Sequence, residues 1–385
     1  MTQNFEDWKI PLYKVFTDDE DLQIITKIIK RGSQWALGPE IDEFETKIKN
    51  YVGCDYCLCL NSGTSCLHSA FLAYNFSTND EIIVPSFSFI STANSVLFVN
   101  GKPRFADIES VNFGLEPKNL QSMINKKTKA IVPMDYGGVS CKIEEIRKIA
   151  DENKIILIED AAEALGTSIN GIKTGNIADL SVFSFCGNKV LTTGEGGAIT
   201  TNSKEIFEKI KLIRSHGRID NYSYFNNPSK SNYLDVGYNW RMSSLTAGLG
   251  ITQLSKLDKI ISLRKKNAES ITSKLLKLSD EIVFPFSSAK YENIYQMYTI
   301  RLKNENIRNK LHKFLLNKKI FSKVYFYPIH LTSFYREKFH TDKISLPVTE
   351  MISEQVLTLP LFPNMTHEEI DYLVNSIFEF FEKES

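Results

Sequence analysis

Between Tyr51 and Thr201 the chain alternates short apolar runs with longer stretches, several of which have a helical pattern, as in Lys142–Asn153. This alternation restricts the possible folds more than any other feature of the sequence. Strand–helix alternation builds a mostly parallel sheet with helices on both faces. The sequence therefore predicts an α/β fold whose sheet contains seven strands: Tyr56–Leu60, Glu81–Val84, Pro103–Ala106, Lys129–Val132, Lys154–Ile158, Leu180–Phe185 and Gly197–Thr201.

The connection between the last two predicted strands differs from the others. About a dozen residues separate Phe185 from Gly197, and they are rich in Gly and Thr and have no helical pattern. A parallel crossover normally requires a helix, so Gly197–Thr201 is predicted to pair antiparallel with its neighbour. Lys189 then lies in this loop, at the edge of the sheet.

The sequence pattern changes after Asp258. A chain of 385 residues with 42% hydrophobic content suits one large domain and one smaller domain. We expect a large domain over residues 32–257 and a small α+β domain over residues 258–385, with the N-terminal segment 1–31 packing beside the small domain. The elements predicted outside the sheet are a helix Asp18–Arg31 with a capping box from Thr17 to Glu20, a helix Lys259–Leu278, strands Tyr298–Leu302 and Lys323–Tyr327, and a final helix with a capping box from Thr366 to Glu369.

Charge and composition argue against several classes of protein. Lys plus Arg and Asp plus Glu both number 46, and a net charge of zero argues against nucleic acid or an anionic membrane as a partner. No apolar run is long enough to span a membrane, and the N-terminus lacks the apolar stretch of a secretory signal. Six cysteines in so long a chain do not form a disulfide framework, so we expect a cytoplasmic location.

Three of the cysteines, Cys54, Cys57 and Cys59, lie close enough in sequence to suggest a metal site. However, a closed zinc site needs four ligands, and no second Cys/His pair follows at ligand spacing. Cys57 and Cys59 lie two residues apart on a predicted strand, where small apolar side chains pack well. We therefore expect a structural role for these cysteines and no bound metal.

The segment Asn61–Ser65 joins the first predicted strand to a helical pattern with Leu67, Ala70 and Phe71 on one face. A turn of small residues at the N-terminus of a helix presents N–H groups to an anion, and a phosphate fits such a turn. Ser and Thr at this place can instead simply cap the helix. The motif by itself leaves both interpretations open.

The buried strand that begins near Ile155 ends in the acids Glu159 and Asp160, followed by two alanines and Glu163. An acid at the carboxyl end of a parallel strand points into the crevice where α/β proteins bind ligands. A carboxylate there can stabilise a protonated pyridine nitrogen, as pyridoxal-phosphate (PLP) chemistry requires. A helix N-cap is an equally acceptable interpretation of this motif alone.

Lys189 follows a buried strand within a Gly-rich loop, a position that a solvated surface charge does not explain well. A desolvated amine near other cations has a lowered pKa and can form a Schiff base. Ser184 lies on the opposite pleat face from Phe183 and Phe185 and can donate to a phosphate. Amine, acid and phosphate turn all fall at predicted strand ends on the same side of the sheet.

At this level of detail the sequence resembles the DegT/DnrJ/StrS-type sugar aminotransferases, which are PLP enzymes of fold type I. The resemblance covers nearly the whole chain, and its segments are specific together but not separately. They are IPLYK at Ile10, LGPEIDEFE at Leu37, NSGTSCLHSA at Asn61, VPSFSFISTANSV at Val84, EDAAEALG at Glu159, FSFCGNKVLTTGEGG at Phe183, RSHGR at Arg214, GYNWRMSSLTAGLGITQL at Gly237, YPIHLTSFY at Tyr327 and LPLFPNMTHEE at Leu359.

Carried over residue by residue, the resemblance implies a role for each chemical group around the cofactor. Lys189 would bind PLP as a Schiff base and act as the base for proton transfer. Asp160 would pair with the pyridinium nitrogen. Glu163 would lie beside the ring hydroxyl, where many relatives have Gln. Phe89 would stack on the ring.

The resemblance also implies how the cofactor phosphate is held. Gly63, Thr64, Ser65 and Ser184 would bind it from one subunit, and Asn239 would reach it from the neighbouring subunit. The active protein would then be a homodimer with shared active sites.

On the substrate side, His330 matches the family's substrate-side histidine, although a hydrogen-bonded loop histidine is an equally good interpretation. Trp35, Arg218 and Arg241 are candidates for the substrate channel, and structural roles are as plausible for them. The family implies two substrates, a nucleotide-linked keto sugar and an amino donor such as L-glutamate, which leaves as 2-oxoglutarate.

Two segments depart from the common family pattern. Many relatives have His where Cys186 stands, and many have VHLYG where this chain has Met134–Gly137. The stretch SFCGNK and the loop Thr192–Gly197 resemble those of perosamine-synthase-like enzymes that aminate C-4, whereas relatives acting at C-3 tend to have a GDGG-type loop. Lys189 argues against the dehydratase branch of the fold, which has histidine there.

We therefore expect amination at C-4 of a nucleotide-linked 4-keto-6-deoxyhexose, for the biosynthesis of a surface polysaccharide such as O-antigen or of a glycan. GDP, dTDP and UDP sugars are not distinguished. A C-3 keto-sugar or keto-cyclitol aminotransferase, and a non-catalytic PLP-fold sensor, remain the alternatives.

Overall fold

A computed structural model describes residues 8–218 and 232–384 of the chain. Within them, a seven-stranded sheet forms the centre of the larger part of the fold. All seven predicted strands are present, and their ends differ from the prediction by a residue or two. The strands are β1 (Tyr56–Leu60), β2 (Glu81–Pro85), β3 (Lys102–Ala106), β4 (Thr128–Ile131), β5 (Ile156–Asp160), β8 (Leu180–Ser184) and β9 (Gly197–Thr201), and the short strands β6 (Ser168–Ile169) and β7 (Ile172–Lys173) form a separate hairpin.

The strand order across the sheet is β1-β9-β8-β5-β4-β2-β3. Only β9 runs antiparallel to its neighbours, and it pairs with both β8 and β1. The predicted antiparallel pairing of Gly197–Thr201 is therefore confirmed. Because the chain returns directly instead of crossing over through a helix, the loop between β8 and β9 stays at the carboxyl end of β8.

Helices pack on both faces of this sheet, as expected for an α/β fold. Leu58 and Leu60 point into the core on one face, and Cys57 and Cys59 point into the core on the other. The helices are α1 (Asp19–Arg31), α2 (Pro39–Val52), α3 (Gly63–Ala73), α4 (Ile90–Phe98), α5 (Pro117–Met123), α6 (Ile143–Asn153), α7 (Lys204–Ile213), α8 (Ser244–Ser255), α9 (Leu257–Leu275), α10 (Glu305–Asn317), α11 (Ser333–Phe339), α12 (Pro347–Gln355) and α13 (His367–Glu384).

The structural role predicted for Cys57 and Cys59 is confirmed by their position. Both thiols are buried in β1, and burial raises the pKa of each. A buried, protonated thiol behaves as a small apolar side chain.

The outer edge of β1 is closed by side-chain and backbone groups from other parts of the chain. The Cys59 N–H donates to a Glu45 carboxylate oxygen at 2.8 Å, and Arg214 donates to the Cys59 carbonyl at 2.9 Å. The Asn61 N–H donates to the carbonyl of Trp240 at 2.9 Å. Edge strands with satisfied backbone groups do not pair with further strands, so the sheet ends here.

A second, antiparallel sheet follows in the C-terminal part. Its order is β10 (Ile282–Val283), β11 (Tyr298–Leu302) and β12 (Val356–Leu359). The prediction for Tyr298–Leu302 is confirmed, whereas the strand predicted at Lys323–Tyr327 is wrong. Lys323 makes one isolated bridge to Thr358, and the carbonyl of Tyr325 accepts from the Tyr136 hydroxyl at 2.7 Å instead of a strand neighbour.

Two predicted capping boxes have different outcomes. The box at the final helix is confirmed, since Thr366 and Glu369 exchange hydrogen bonds of 2.9 and 3.1 Å. The box predicted from Thr17 is wrong, because Asp18 is the N-cap of α1 and Asp21 completes the box. Two acids at this end also interact favourably with the positive end of the helix dipole.

The described part of the N-terminal segment packs in two places, one in the core of the C-terminal sheet and one on helix α8. Ile10 lies in the core of the C-terminal sheet, as expected for a segment beside the small domain. In contrast, α1 packs on α8, where Gln253 and Thr252 hydrogen-bond to Asp21. Residues 1–7 of the predicted segment lie outside the described residues, and the division of domains at residue 258 stays a prediction.

Two acids are buried behind the carboxyl end of β5, and one of them belongs to the Met134–Gly137 stretch that departs from the family pattern. Glu159 accepts from the Ser181 hydroxyl at 2.7 Å, and Asp135 accepts from the Cys141 N–H at 2.8 Å. Among the described residues, the second oxygen of each carboxyl has no hydrogen-bond partner. Burial raises the pKa of both, and the charge of Glu159 adds to the effect on Asp135, so we infer that the pair shares a proton.

We expect the Asp135→Asn substitution to change the unfolding free energy more favourably at about pH 8 than at about pH 5.5. A carboxyl whose pKa is raised by folding holds more protons in the folded protein, so the unfolding free energy falls as pH rises through the raised pKa. Asn keeps the acceptor for Cys141, can donate to Glu159 and does not titrate. Denaturant midpoints of variant and parent at both pH values measure the effect.

Asp135→Ala is the matched control, because it leaves the Cys141 N–H buried without an acceptor. The lost acceptor should lower the unfolding free energy by about 1–3 kcal/mol. Because Ala does not titrate either, this loss relative to the parent should be smaller at about pH 8 than at about pH 5.5. An Asn variant that loses stability relative to the parent as the pH rises would contradict the shared proton.

Candidate active site

The predicted chemical groups meet at the carboxyl ends of β2, β5 and β8. Asp160 is the last residue of β5, Ser184 is the last residue of β8, and Phe89 follows β2 as the N-cap of α4. Lys189 lies in the loop that returns to β9. Parallel strands end at one edge of a sheet, which is where α/β proteins bind ligands. The structure therefore brings together groups that are far apart in sequence.

The Asp160 carboxylate is buried and oriented by two hydrogen bonds. The Thr92 hydroxyl donates to Oδ2 at 2.7 Å, and the Ala162 N–H donates to Oδ1 at 3.3 Å. Ser88 shares a 2.7 Å hydrogen bond with the Thr92 hydroxyl. Burial raises the pKa of Asp160, while these hydrogen bonds and the charge of Lys189 lower it. A cation placed against this carboxylate would stabilise its ionised form.

The amine of Lys189 is largely withdrawn from solvent and pairs with Glu163. Lys189 Nζ lies 3.0 Å from Glu163 Oε1, and the two side chains are 13% and 5% exposed. The other oxygen of Glu163 accepts from the Gly137 N–H at 3.0 Å. Glu163 is thus held from two sides, and it fixes the position of the amine.

The turn before α3 has the form of a phosphate cradle. Ser62 caps the helix by accepting from the Ser65 N–H, while N–H groups in a first helical turn have no intrahelical acceptor. Gly63 lies against Ser184, and a Cβ added at Gly63 would come within 3.1 Å of the Ser184 side chain. The absence of a side chain lets this turn approach Ser184 closely, and the Ser184 hydroxyl lies beside it. A phosphate fits these donors. The contact of Thr64 with a phosphate stays a prediction.

Ser65 is placed differently from the other predicted phosphate ligands. Its hydroxyl donates to Asn61 and also accepts from the Ser62 N–H, which completes the capping box. The capping interpretation, which the sequence left open, therefore describes the side chain of Ser65. Its predicted contact with phosphate stays a prediction.

Phe89 presents an apolar ring at the same edge of the sheet. Its side chain is 56% exposed, which is unusual for a Phe next to a buried strand, and its ring lies 6.4 Å from that of Phe326. An exposed ring in a polar site provides a flat surface on which a planar ligand can stack.

His330 is completely buried in the structure. Its Nδ1 shares a 2.6 Å hydrogen bond with the Ser86 hydroxyl, and its Nε2 lies 3.4 Å from Glu350. Burial lowers the pKa of the ring, against the effect of Glu350. These contacts agree with the loop-histidine interpretation, and a contact with substrate stays a prediction.

The other predicted substrate residues lie in loops, Trp35 before α2, Arg218 after α7 and Arg241 before α8. Trp35 donates to the carbonyl of Ile28 at 3.0 Å, Arg241 donates to Ser215 at 2.8 Å, and Arg218 is buried. The structure does not bring these side chains into hydrogen-bond contact with Lys189 or Asp160, and their roles in a substrate channel stay predictions.

Asn239 is exposed in the segment that runs along the edge of β1. Its neighbour Trp240 accepts from the N–H of Asn61, and Arg241 forms a bridge with Leu60. The predicted contact with a phosphate of another subunit requires such an exposed position, and it stays a prediction.

The sequence did not indicate three of the residues that hold the site. Thr92 binds Asp160, Gly137 binds Glu163, and Gln296 binds the backbone on both sides of Lys189. Only a weak indication of Thr92 was present in the sequence, where it follows Phe89 in the first turn of a helix at the end of a strand. The other two act through contacts that no local pattern marks.

The family model described as the DegT/DnrJ/EryC1/StrS aminotransferase family matches residues 16–378. The chain belongs to this family. It is 32% identical to the GDP-perosamine synthase of Vibrio cholerae over 374 residues, which are 97% of this chain and 99% of that enzyme. It is 33% identical to the UDP-4-amino-4,6-dideoxy-N-acetyl-beta-L-altrosamine transaminase of Campylobacter jejuni over 375 residues, 95% and 96% of the two chains.

The fold comparison agrees with this assignment. The structure of Helicobacter pylori PseC, an aminotransferase of pseudoaminic acid biosynthesis, superposes with a TM-score of 0.91 at 27% identity and covers 97% of this chain and 99% of that one. The predicted fold type I is confirmed, and the protein is a sugar aminotransferase whose cofactor is PLP. Within residues 8–218 and 232–384, no helix has the length and apolar content needed to cross a membrane.

We expect Thr92→Val to lower kcat for amino transfer by about tenfold to a hundredfold. The substitution keeps the shape of the side chain but removes the donor at 2.7 Å from Asp160. A hydrogen bond to a charged group contributes about 1.5–3 kcal/mol, and each 1.4 kcal/mol corresponds to about a factor of ten. Steady-state rates at saturating PLP measure this loss.

Ser88→Ala is the matched control, because Ser88 contacts Thr92 and not Asp160. Its effect on kcat should be smaller. Equal losses in the two variants would show that the direct hydrogen bond to Asp160 is unimportant.

Proposed function

We propose that this sugar aminotransferase moves the amino group of L-glutamate to C-4 of a nucleotide-linked 4-keto-6-deoxyhexose. The observation that carries the proposal is the pair of Lys189 and Glu163, 3.0 Å apart, at the sheet edge where Asp160 ends β5. An amine, a second acid that orients it and a buried carboxylate for a pyridine nitrogen are what PLP-dependent amino transfer requires.

Bound PLP supplies an aldehyde that takes up the donor's amino group and an electron-accepting ring that stabilises negative charge on the reacting carbon. We assign to Lys189 Nζ the covalent attachment of the cofactor and the transfer of protons at that carbon. Glu163 orients Nζ and accepts its hydrogen bond. Because Nζ is tethered close to the reacting carbon, proton transfer needs no diffusional encounter.

The remaining site residues hold and orient the cofactor in this proposal. Asp160, oriented by Thr92, pairs with the protonated ring nitrogen and keeps it positive. The first turn of α3 at Gly63 and Thr64, together with Ser184, binds the phosphate. Phe89 covers one face of the ring and excludes water from it.

The assignment to C-4 rests on two observations. The Campylobacter jejuni relative is named for a 4-amino-4,6-dideoxy sugar. The loop Thr192–Gly197 also has the form expected for enzymes that aminate C-4. We further propose that the product serves surface polysaccharide or glycan synthesis and that the reaction takes place in the cytoplasm.

We also propose that the enzyme acts as a homodimer with shared sites. The exposed Asn239 and the segment beside the edge of β1 are available for contact with a second copy of the chain. In such a dimer Asn239 would complete the phosphate site of the partner.

Lys189→Ala should abolish turnover and covalent retention of PLP, because no other amine replaces Nζ. Borohydride reduction of the parent should fix the cofactor to the peptide that contains Lys189, as detected by mass spectrometry. Lys189→Arg keeps the positive charge and is the matched control, and it should be equally inactive. Amino transfer that persisted in either variant would disprove the assignment.

The substrate is tested by supplying the enzyme with GDP-, dTDP- and UDP-linked keto sugars and glutamate. Mass and NMR spectra of the products should show an amine at C-4 of one sugar class. An amine at C-3, or turnover only with a keto-cyclitol, would replace the proposed acceptor. No transfer from any donor to any acceptor would favour a binding protein over an enzyme.

A further inference from the structure

The loop that carries Lys189 is held by a side chain from the C-terminal part of the chain. Gln296 Nε2 donates to the carbonyl of Asn188 at 2.8 Å, and the Val190 N–H donates to Gln296 Oε1 at 2.7 Å. These two backbone groups flank Lys189 directly. A single amide therefore fixes the peptide groups on both sides of the residue that we assign to the cofactor.

Gln296 is itself fixed by its surroundings. It is 4% exposed, and its own carbonyl accepts from Arg264 Nη2 at 2.9 Å. Arg264, which is buried in α9, also donates through Nε to the carbonyl of Tyr295 at 2.8 Å. An amide anchored in this way resists displacement, because any movement would leave buried donors and acceptors without partners.

The same segment also supports the partner of Lys189. The Met297 N–H donates to the carbonyl of Gly137 at 3.1 Å, and the Ile294 N–H donates to that of Gly138 at 3.0 Å. The Gly137 N–H in turn donates to Glu163. Residues 294–297 therefore contact the supports of both members of the Lys189–Glu163 pair.

We propose that Gln296 is a positioning residue for amino transfer, which holds the backbone of Lys189 still while its side chain moves. This inference rests on the role proposed for Lys189. In that role the lysine amine would both hold the cofactor and move protons at the reacting carbon, and a fixed Cα would limit its movement to the side-chain torsions. A displacement of about 1 Å in such a site can lower the rate by about two orders of magnitude.

The neutral amide of glutamine supplies a donor and an acceptor at this reach without titrating. In a Gln296→Glu variant the introduced carboxylate would accept from the Val190 N–H, but it would oppose the Asn188 carbonyl until it is protonated. Gln296→Met has similar length and neither group. The two variants therefore separate the loss of one contact from the loss of both.

The experiment compares Gln296→Met and Gln296→Glu with the parent holoenzyme. We expect Gln296→Met to lower kcat about tenfold to a hundredfold, with KM for the amino donor changed less than about threefold. Gln296→Glu should recover activity relative to Gln296→Met as the pH falls, because a protonated carboxyl can donate to Asn188. In the cofactor-free protein, amide exchange over residues 186–196 should be faster in Gln296→Met than in the parent.

Gln253→Met is the matched control, because Gln253 is a buried glutamine that joins Phe16 to Asp21 away from the site. It should lower the stability of the protein but leave kcat, KM for the amino donor and the pH dependence of activity unchanged. Amide exchange over residues 186–196 should also be unchanged. Equal kinetic effects in Gln253→Met and Gln296→Met, or no effect of Gln296→Met, would overturn the inference. A parent enzyme without borohydride-fixed PLP at Lys189 would instead refute the proposed function, so the two failures are distinguishable.

Discussion

The antiparallel return of β9 beside β8 is the constraint on which the site depends. Because no helix connects these strands, the loop between them remains at the carboxyl edge of the sheet, where β2 and β5 also end. The amine of Lys189 is thereby placed on the same side as the carboxylate of Asp160. A parallel crossover in this place would instead have taken the chain through a helix to the opposite end of the sheet before the next strand began.

Partial burial of charge is the second feature that organises the site. Asp160, Glu163 and Lys189 are all largely withdrawn from water, and each has partners that offset the cost of desolvation. Behind them lie the buried acids Asp135 and Glu159, whose pKa values burial raises, and we infer that they share one proton. Asp160, which we propose pairs with the cofactor nitrogen, therefore lies next to two acids that need no cation to balance a second charge. This arrangement explains how several acids can lie close together at one edge of the sheet.

Much of the large sheet, and the fact that Lys189, Asp160 and Ser184 lie at one edge of it, could be predicted from sequence. The strands are short apolar runs with clear limits, so their positions were found within a residue or two, and even the direction of β9 followed from the character of one loop. The failures have local causes. Asp18 competes successfully with Thr17 for the N-cap of α1, and the backbone of Tyr325 bonds to Tyr136 instead of continuing a strand beside Lys323. The hydroxyl of Ser65 serves the helix cap, a choice that the motif left open.

The sequence by itself determined the kind of fold and the family, and it identified Lys189 as the candidate for the reacting amine, because periodicity, turn residues and motifs are properties of neighbouring residues. Only the tertiary structure decided what supports that amine. Gln296 lies more than a hundred residues from the backbone groups it binds, and Thr92 lies 68 residues from Asp160. Such contacts depend on how whole elements pack, since a hydrogen bond between distant residues forms only where the fold brings donor and acceptor within about 3 Å of each other.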